Sequence, residues 1–344
     1  MLAGAWLPRP ACAHHSATEY DSTRFIEFSG TLSDVAWQNP HVQLKVTSME
    51  AGKTVVWEIE CNAIGILERA RVNRRMLVVG DKVKVAGYPS RLSPTRVSGT
   101  NLLTSTNREV VLSPDVKPRW QRDAAPGVPA TVAANAQAAP AVASIFKVWA
   151  TVMSDRDANP YAFWDTKLSL TPAARAAVDA WDYLRDNITQ GCSPQGMPTI
   201  MAQPLPMQFE DHGATIVLRI EEYDTVRTIH MDGAAPPSTK SLLGYSVGTW
   251  VGDSLVVDTT GVSWRYVAPY GLPLGRSARM QERFTPTADG RRLRYTLLLD
   301  DPDTFTVDPV FSRSWVWQEN ERLREYACGK TQDPPADAGG VRQQ

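Results

Sequence analysis

Short segments in which apolar and polar residues alternate recur along most of this chain, and turn-forming residues separate them. Val42, Leu44 and Val46 form one face of such a segment, and Gln43 and Lys45 form the other. This alternation is typical of a β-strand with one buried face. Because the segments are short and 25 Pro and 11 Trp accompany them, the sequence predicts a mainly β fold.

The first part of the pattern predicts a small barrel. Three alternating segments occur between Phe25 and Cys61, a helical segment follows over Ala63–Val72, and two further strands run to Leu112. Three strands, a helix and two strands is the order of an OB-type five-strand barrel. We therefore assign residues 14–112 to an OB-like β domain.

A second domain is predicted beyond a stretch rich in Ala and Pro. Residues 113–141 have almost no hydrophobic periodicity, which is typical of a semi-extended linker. Residues 142–330 are predicted to form an antiparallel β barrel or sandwich with a short helical lead-in, whose last strand is Leu323–Cys328. We favour a calycin-like barrel with an interior ligand cavity. Residues 331–344 are expected to be a disordered tail.

The first 13 residues are similar to the end of a signal peptide. Ala11-Cys12-Ala13 fits the small-x-small pattern that signal peptidase cleaves, so the mature chain is expected to begin at His14. The expected location is the periplasm or the cell exterior. The alternative is a frayed N-terminus on a cytoplasmic protein.

Cleavage at this point would leave Cys61, Cys192 and Cys328 in the mature chain. In an oxidising compartment, a Cys192–Cys328 disulfide would join the beginning of the second domain to its end. The alternative is three buried free thiols. Cys61 lies in an apolar strand and is expected to be packed as a thiol in either case.

The net charge argues against a nucleic-acid partner, and the apolar pattern argues against a membrane-spanning helix. Because 36 Lys and Arg and 37 Asp and Glu leave a net charge of −1, no basic surplus is present to neutralise phosphates, and we expect no nucleic-acid partner. No apolar run approaches the roughly twenty residues of a membrane-spanning helix, so we expect no membrane span.

Two motifs near the N-terminus resemble a known family. The sequences AHHSATEYD at Ala13–Asp21 and FSGTLSDVAWQNPHV at Phe28–Val42 are similar to the bacterial exported domain-of-unknown-function family 6152. Members of that family begin with Ala-His-His-Ser and carry Asn-Pro-His after the first strand. The second half is similar to a domain common in exported proteobacterial proteins of unknown role. The resemblance implies export and a barrel over roughly residues 13–112, and it implies no chemistry.

Aromatic residues on the strands of the second domain suggest a ligand site. They are expected to line or fill the interior, and Arg227 is the polar candidate among them. The predicted ligand-binding residues are Arg227, Tyr245, Trp250, Tyr295, Trp315 and Trp317. The leading hypothesis is that this domain holds a small, largely apolar organic molecule. The alternative is that the aromatic residues only fill the core.

A second hypothesis is a cofactor-free isomerase, lyase or hydrolase. His230, Glu282 and Asp258 lie on predicted strands, and a buried carboxylate beside an imidazole suits acid–base catalysis. The alternative is structural, with Glu282 paired to Arg227 or Arg219 across the sheet and Asp258 closing a turn.

A third hypothesis is copper binding at the processed N-terminus. The amine and imidazole of His14, with His15 and His41, would supply the nitrogen donors that copper(II) prefers. The alternative is that His14 and His15 are polar residues on a mobile end and that His41 caps a turn beside Pro40.

Overall fold

The protein is described by a computed structural model. It describes residues 19–113, 116–121, 144–152, 155–164, 166–186 and 192–328. Most of the predicted linker and all of the predicted tail lie outside these residues, as do His14 and His15. Within the described residues, no helix is both long enough and apolar enough to cross a membrane.

The N-terminal part forms the predicted five-strand barrel. The strands pair in the order β1-β2-β3-β5-β4-β1, and the parallel β3–β5 pairing closes the barrel. Helix α1 lies between β3 and β4, as in an OB-type barrel, and β6 pairs with the end of β5, beyond the residues that pair with β3. The elements are β1 (Ile26–Ala36), β2 (Gln43–Glu50), β3 (Lys53–Glu60), α1 (Ile64–Arg69), β4 (Lys82–Pro89), β5 (Arg96–Leu103) and β6 (Glu109–Val111).

The alternation of apolar residues explains this barrel. On β2, Leu44 and Val46 are buried while Gln43 and Lys45 are exposed. Leu44 and Val46 belong to a core cluster that also contains Ile59 of β3 and Leu67 of α1. Every second residue of the strand therefore buries apolar surface, and α1 covers an end that the strands leave open.

The C-terminal part forms a closed barrel of nine strands. Short helical segments lie between its first strand, β7, and β8, and a two-stranded hairpin, β13–β14, is inserted between β12 and β15. The elements are β7 (Val148–Ala150), a 3-10 segment (Pro160–Trp164), α2 (Pro172–Asp179), a second 3-10 segment (Thr199–Ala202), β8 (Met207–Asp211), β9 (Thr215–Ile220), β10 (Thr225–His230), β11 (Tyr245–Val251), β12 (Ser254–Thr260), β13 (Tyr266–Ala268), β14 (Leu272–Pro273), β15 (Arg279–Pro286), β16 (Arg292–Asp300) and β17 (Val310–Trp317).

One pairing in this barrel differs from the antiparallel prediction. The strands follow the order β10-β11-β12-β15-β16-β17-β7-β8-β9, and β9 pairs with β10 to close the barrel. All neighbours are antiparallel except β10 and β11, which pair in parallel at Ile229–Ser246 and His230–Val247. An odd number of strands cannot alternate in direction around a closed ring, so at least one parallel pairing is required.

The end of the described chain also differs from the prediction. The predicted strand over Leu323–Cys328 does not form, and Tyr326 makes only an isolated bridge to Asn39 of the first barrel. The segment is held in place by the predicted disulfide between Cys192 and Cys328, whose Cα atoms lie 5.7 Å apart. Cys61 is a buried free thiol. The two barrels therefore contact each other through the C-terminal segment.

Candidate functional site

The interior of the second barrel carries a continuous group of aromatic side chains. Tyr295 and Trp315 point inward and are 1% and 2% exposed, with ring centroids 5.4 Å apart. Phe311 also points inward and is buried. We call Tyr295, Phe311 and Trp315 the aromatic bowl. These positions follow the alternation of β16 and β17, which places every second side chain inside the barrel.

Phe163 packs on the aromatic bowl from a segment that is not part of the barrel wall. It lies on the 3-10 segment Pro160–Trp164, and its ring stacks on Phe311 at 5.2 Å and on Tyr295 at 6.0 Å. Trp164 packs edge-on against Phe311 at 5.8 Å. The bowl is therefore closed by an element that is not a strand of the barrel.

A ring of polar side chains crosses the same interior. Six adjacent strands, β10, β11, β12, β15, β16 and β17, contribute inward-facing polar residues that lie next to one another, and these residues are buried. We call this set the polar belt, and it consists of Arg227, Ser246, Thr259, Glu282, Tyr295 and Arg313. The belt holds two guanidinium groups and one carboxylate.

Glu282 in the polar belt is fully paired. Its carboxylate forms an ion pair with Arg227, with an Nη1–Oε1 distance of 3.0 Å and a second contact between Nη2 and Oε2. Tyr295 donates its hydroxyl to Oε1 of Glu282 at 2.8 Å. Arg227 also donates to Ser246 Oγ at 2.9 Å and to Thr259 Oγ1 at 2.8 Å. Buried charges are stable only with such partners.

The pKa values of these groups follow from the same contacts. Burial acts to lower the pKa of Arg227, but the charge of Glu282 outweighs it and the pKa is raised. Burial, followed by the charge of Glu282, raises the pKa of Tyr295 well above its usual range. Arg227 and Glu282 form a buried ion pair, which is the structural alternative that the sequence left open for Glu282.

Arg313 is the second guanidinium of the belt and has no carboxylate partner among the described residues. Its Nη1 donates to the carbonyl oxygens of Met201 at 3.0 Å and Gln203 at 3.2 Å. Its guanidinium lies 4.4 Å above the ring centre of Trp315. Its Nε and Nη2 are buried and hydrogen bond to no described residue. Sequence reasoning missed Arg313, although its alternation with Phe311 and Trp315 places it on the inner face.

The three residues predicted for acid–base catalysis do not come together. Glu282 lies inside the barrel, whereas His230 lies on the outer face of β10, where its ring stacks on Tyr245 at 4.4 Å. Asp258 is also on the outer face and accepts a hydrogen bond from Gln281 Nε2 at 3.0 Å. The wall of the barrel separates both residues from Glu282, so the structure contains no shared cavity for this set.

The remaining predicted ligand residues fall outside the bowl. Tyr245 points outward and donates its hydroxyl to the carbonyl of Ala234 at 3.0 Å. Trp250 is at the rim and 43% exposed, because the β11–β12 hairpin carries it past the end of the core. Trp317 ends β17 at the rim, with the amine of Lys147 5.2 Å from its ring centre. Only Arg227, Tyr295 and Trp315 of the predicted set are interior.

A second buried polar cluster lies where the two barrels meet. Asn39, of the Asn-Pro-His motif, donates from Nδ2 to Glu221 Oε1 at 2.7 Å and accepts at Oδ1 from the Ile64 amide at 3.0 Å. Tyr326 donates its hydroxyl to Glu222 Oε1 at 3.0 Å. The motif thus links the first barrel to the β9–β10 turn of the second.

Both carboxyls of this turn are buried and have unusual pKa values. Burial raises the pKa of Glu221 to about 7 and that of Glu222 to about 7. The adjacent Tyr223 and Asp224 adopt left-handed backbone conformations, with φ of 58° and 47°, which are uncommon for residues other than Gly. The arrangement can hold protons near neutral pH. Neither Glu221 nor Glu222 was among the site residues predicted from the sequence.

The histidines predicted to bind copper are only partly described. His14 and His15 lie outside the described residues. His41 Nδ1 is 2.9 Å from the carbonyl oxygen of Cys61, and a positive charge on His41 acts to lower the pKa of Glu222. Within the described ranges, no three His, Cys, Asp or Glu side chains form a group that could hold a metal ion.

The comparison with known families identifies the N-terminal part of the chain. Residues 5–99 match the model of a family of unknown function, DUF6152, in agreement with the resemblance of the two N-terminal motifs. The match spans the first barrel through the first half of β5 and includes Asn39. No curated protein matches the chain.

Proposed function

We propose that this protein is an exported binding or accessory protein whose C-terminal barrel holds a small, largely apolar organic molecule. Two features support export. Ala11-Cys12-Ala13 fits a signal-peptidase site, and the Cys192–Cys328 disulfide is of a kind that persists in oxidising compartments. The location is therefore expected to be the periplasm or the exterior of the cell.

The position of Phe163 carries the binding proposal. Its ring occupies the aromatic bowl, yet its segment, Pro160–Trp164, contributes no strand to the barrel. Phe163 can therefore withdraw without breaking a strand pairing. The surface that it would uncover includes Tyr295 and Phe311, on which its ring stacks, and aromatic walls of this kind bind small apolar molecules.

A thermal unfolding experiment tests this proposal. The probes are 1-decanol and naphthalene, which are neutral, and decanoate and 2-naphthoate, which are acidic. A ligand at about 100 times its Kd adds about 2.7 kcal/mol to the stability of the folded protein. For a domain of this size we expect a rise in Tm of roughly 5–10 °C with at least one probe, accompanied by saturable quenching of tryptophan fluorescence.

Two variants locate the binding. Phe163→Ala uncovers the bowl and should bind the same probe more tightly. Phe25→Ala removes a ring that is 38% exposed on the first barrel, and it should leave the affinity unchanged. If none of the four probes stabilises the wild-type protein or Phe163→Ala, the barrel is not a binding site for such molecules.

A further inference from the structure

The polar belt carries one positive charge more than its acidic side chain can balance. Glu282 is committed to Arg227, with which it forms a two-point ion pair. Tyr295 is neutral because its pKa is raised. Arg313 is therefore the one guanidinium of the belt without an acidic partner, and it is 5% exposed.

The two unused donors of Arg313 lie on one edge of its guanidinium. Nη1 is occupied by the carbonyls of Met201 and Gln203, whereas Nε and Nη2 have no partner among the described residues. These two nitrogens present parallel N–H groups with the spacing of the two oxygens of a carboxylate. The unused edge is thus the one that binds a carboxylate at two points.

Leaving this edge unpaired has an energetic cost. A buried charged group without a partner loses its hydrogen bonds to water, and no protein group replaces them. Burial accordingly lowers the pKa of Arg313 to about 9, and the nearby Tyr295 only partly opposes the shift. At neutral pH the group is still cationic, so an anion that reached it would be held by charge as well as by hydrogen bonds.

We propose that the ligand of the C-terminal barrel is an apolar carboxylic acid, whose carboxylate docks on the Nε–Nη2 edge of Arg313. Its apolar body takes the place of Phe163 in the aromatic bowl, beside the Trp315 ring on which the guanidinium already rests. This inference rests on the proposed function and adds the chemical class of the ligand.

The test compares an acid with a neutral molecule of the same length. Binding of decanoate and of 1-decanol to the full-length protein is measured near neutral pH by the change in tryptophan fluorescence and in Tm. Charge-assisted hydrogen bonds contribute enough that decanoate should bind about ten-fold or more tightly than 1-decanol. Equal affinity for the two probes, or tighter binding of 1-decanol, would overturn the inference while leaving the proposed function intact.

Two variants assign the preference to one residue. Arg313→Met replaces the guanidinium with an uncharged side chain of similar length. This variant should lose the preference for decanoate and should still bind 1-decanol. Arg219→Met removes an exposed guanidinium that pairs with Glu210 on the outer face, and it should keep the wild-type preference. Failure of all four probes to bind would overturn the inference together with the proposed function, and if only the naphthalene-based probes bind, 2-naphthoate and naphthalene are compared in the same way. The comparison of probes on the wild-type protein decides the inference even if Arg313→Met does not fold.

Discussion

At the scale of single residues, the buried pair of Glu282 and Arg227 should contribute far more to stability than an exposed pair does. Both side chains are at most 1% exposed, so removal of one charge leaves the other buried without a partner. We expect Glu282→Gln to lower the free energy of unfolding by about 3–5 kcal/mol, measured by urea denaturation at neutral pH.

The control for this prediction lies on the outside of the same barrel. Glu210 pairs with Arg219 at 2.9 Å, and both side chains are partly exposed to solvent. Because water screens this pair, Glu210→Gln should cost about 0–1 kcal/mol. Similar losses in the two variants would mean that Arg227 finds other compensation in the belt, for example from Ser246 and Thr259.

At the scale of elements, Asn39 joins three parts of the fold. Its side-chain amide contacts the β9–β10 turn at Glu221 and the beginning of α1 at Ile64, and its backbone carbonyl accepts from the amide of Ala327 at 3.1 Å. Asn39→Ala leaves a buried acceptor and a backbone donor without partners, which should cost about 2–4 kcal/mol. Hydrogen exchange should become faster at the amide of Ile64.

A matched asparagine within the first barrel serves as the control for this substitution. Among the residues that the structure describes, Asn62 donates one side-chain hydrogen bond, to the carbonyl of Leu112 at 3.1 Å, and this contact does not cross between barrels. Asn62→Ala should therefore cost less and leave exchange at Ile64 unchanged. If exchange at Ile64 is the same in both variants, Asn39 does not fix α1 against the second barrel.

The strand patterns predicted the longer strands of both barrels, and they failed over Leu323–Cys328 and where the position along a strand matters. Alternation on β16 and β17 correctly placed Tyr295 and Trp315 inside the barrel. The same rule does not show where a strand leaves the core, so Trp250 was expected inside and lies at the rim. It also cannot show which strands pair in parallel, because apolar and polar residues alternate in the same way on β10 and β11, which pair in parallel, as on the antiparallel strands.

The candidate site was harder to predict because it depends on which of two buried arginines has an acidic partner. Arg227 and Arg313 each lie two residues from a buried apolar residue on the same face of a strand. Only the fold shows that Glu282 pairs with Arg227 and not with Arg313. His230 was predicted to face the same site as Glu282 but lies on the outer face of β10, because successive side chains of a strand point to opposite faces. The contact between the barrels involves residues far apart in the chain, such as Asn39 and Glu221, which no local pattern brings together.

At the scale of the whole molecule, the contact between the two barrels should make stability depend on pH near neutrality. Glu221 and Glu222 are buried there, and burial raises the pKa of each from 4.5 to about 7. The groups around them come from both barrels and from the C-terminal segment. They are His41, Arg69, Tyr223, Glu321, Arg324 and Tyr326.

The direction of the effect follows from the raised pKa values. A carboxyl whose pKa is higher in the folded protein than in the unfolded chain binds its proton more tightly when folded. Its contribution to stability is complete below about pH 4.5 and is lost as the pH rises to about 7. Carboxyls with lowered pKa values, such as Asp155, act in the opposite direction, but only at lower pH.

Urea denaturation at pH values of about 5 and about 8 should therefore give a lower free energy of unfolding at the higher pH. The rise in pKa from 4.5 to about 7 corresponds to a change of a few kcal/mol in the free energy of unfolding for each carboxyl. Glu222→Gln keeps an oxygen that accepts from Tyr326 and cannot ionise, so it should reduce the difference and stabilise the protein at the higher pH. Glu210→Gln, on the exposed face, should leave the difference unchanged. Stability that is constant or rises between the two pH values would show that the carboxyls at this contact are ionised in the folded protein, and that the contact between the barrels tolerates their charge.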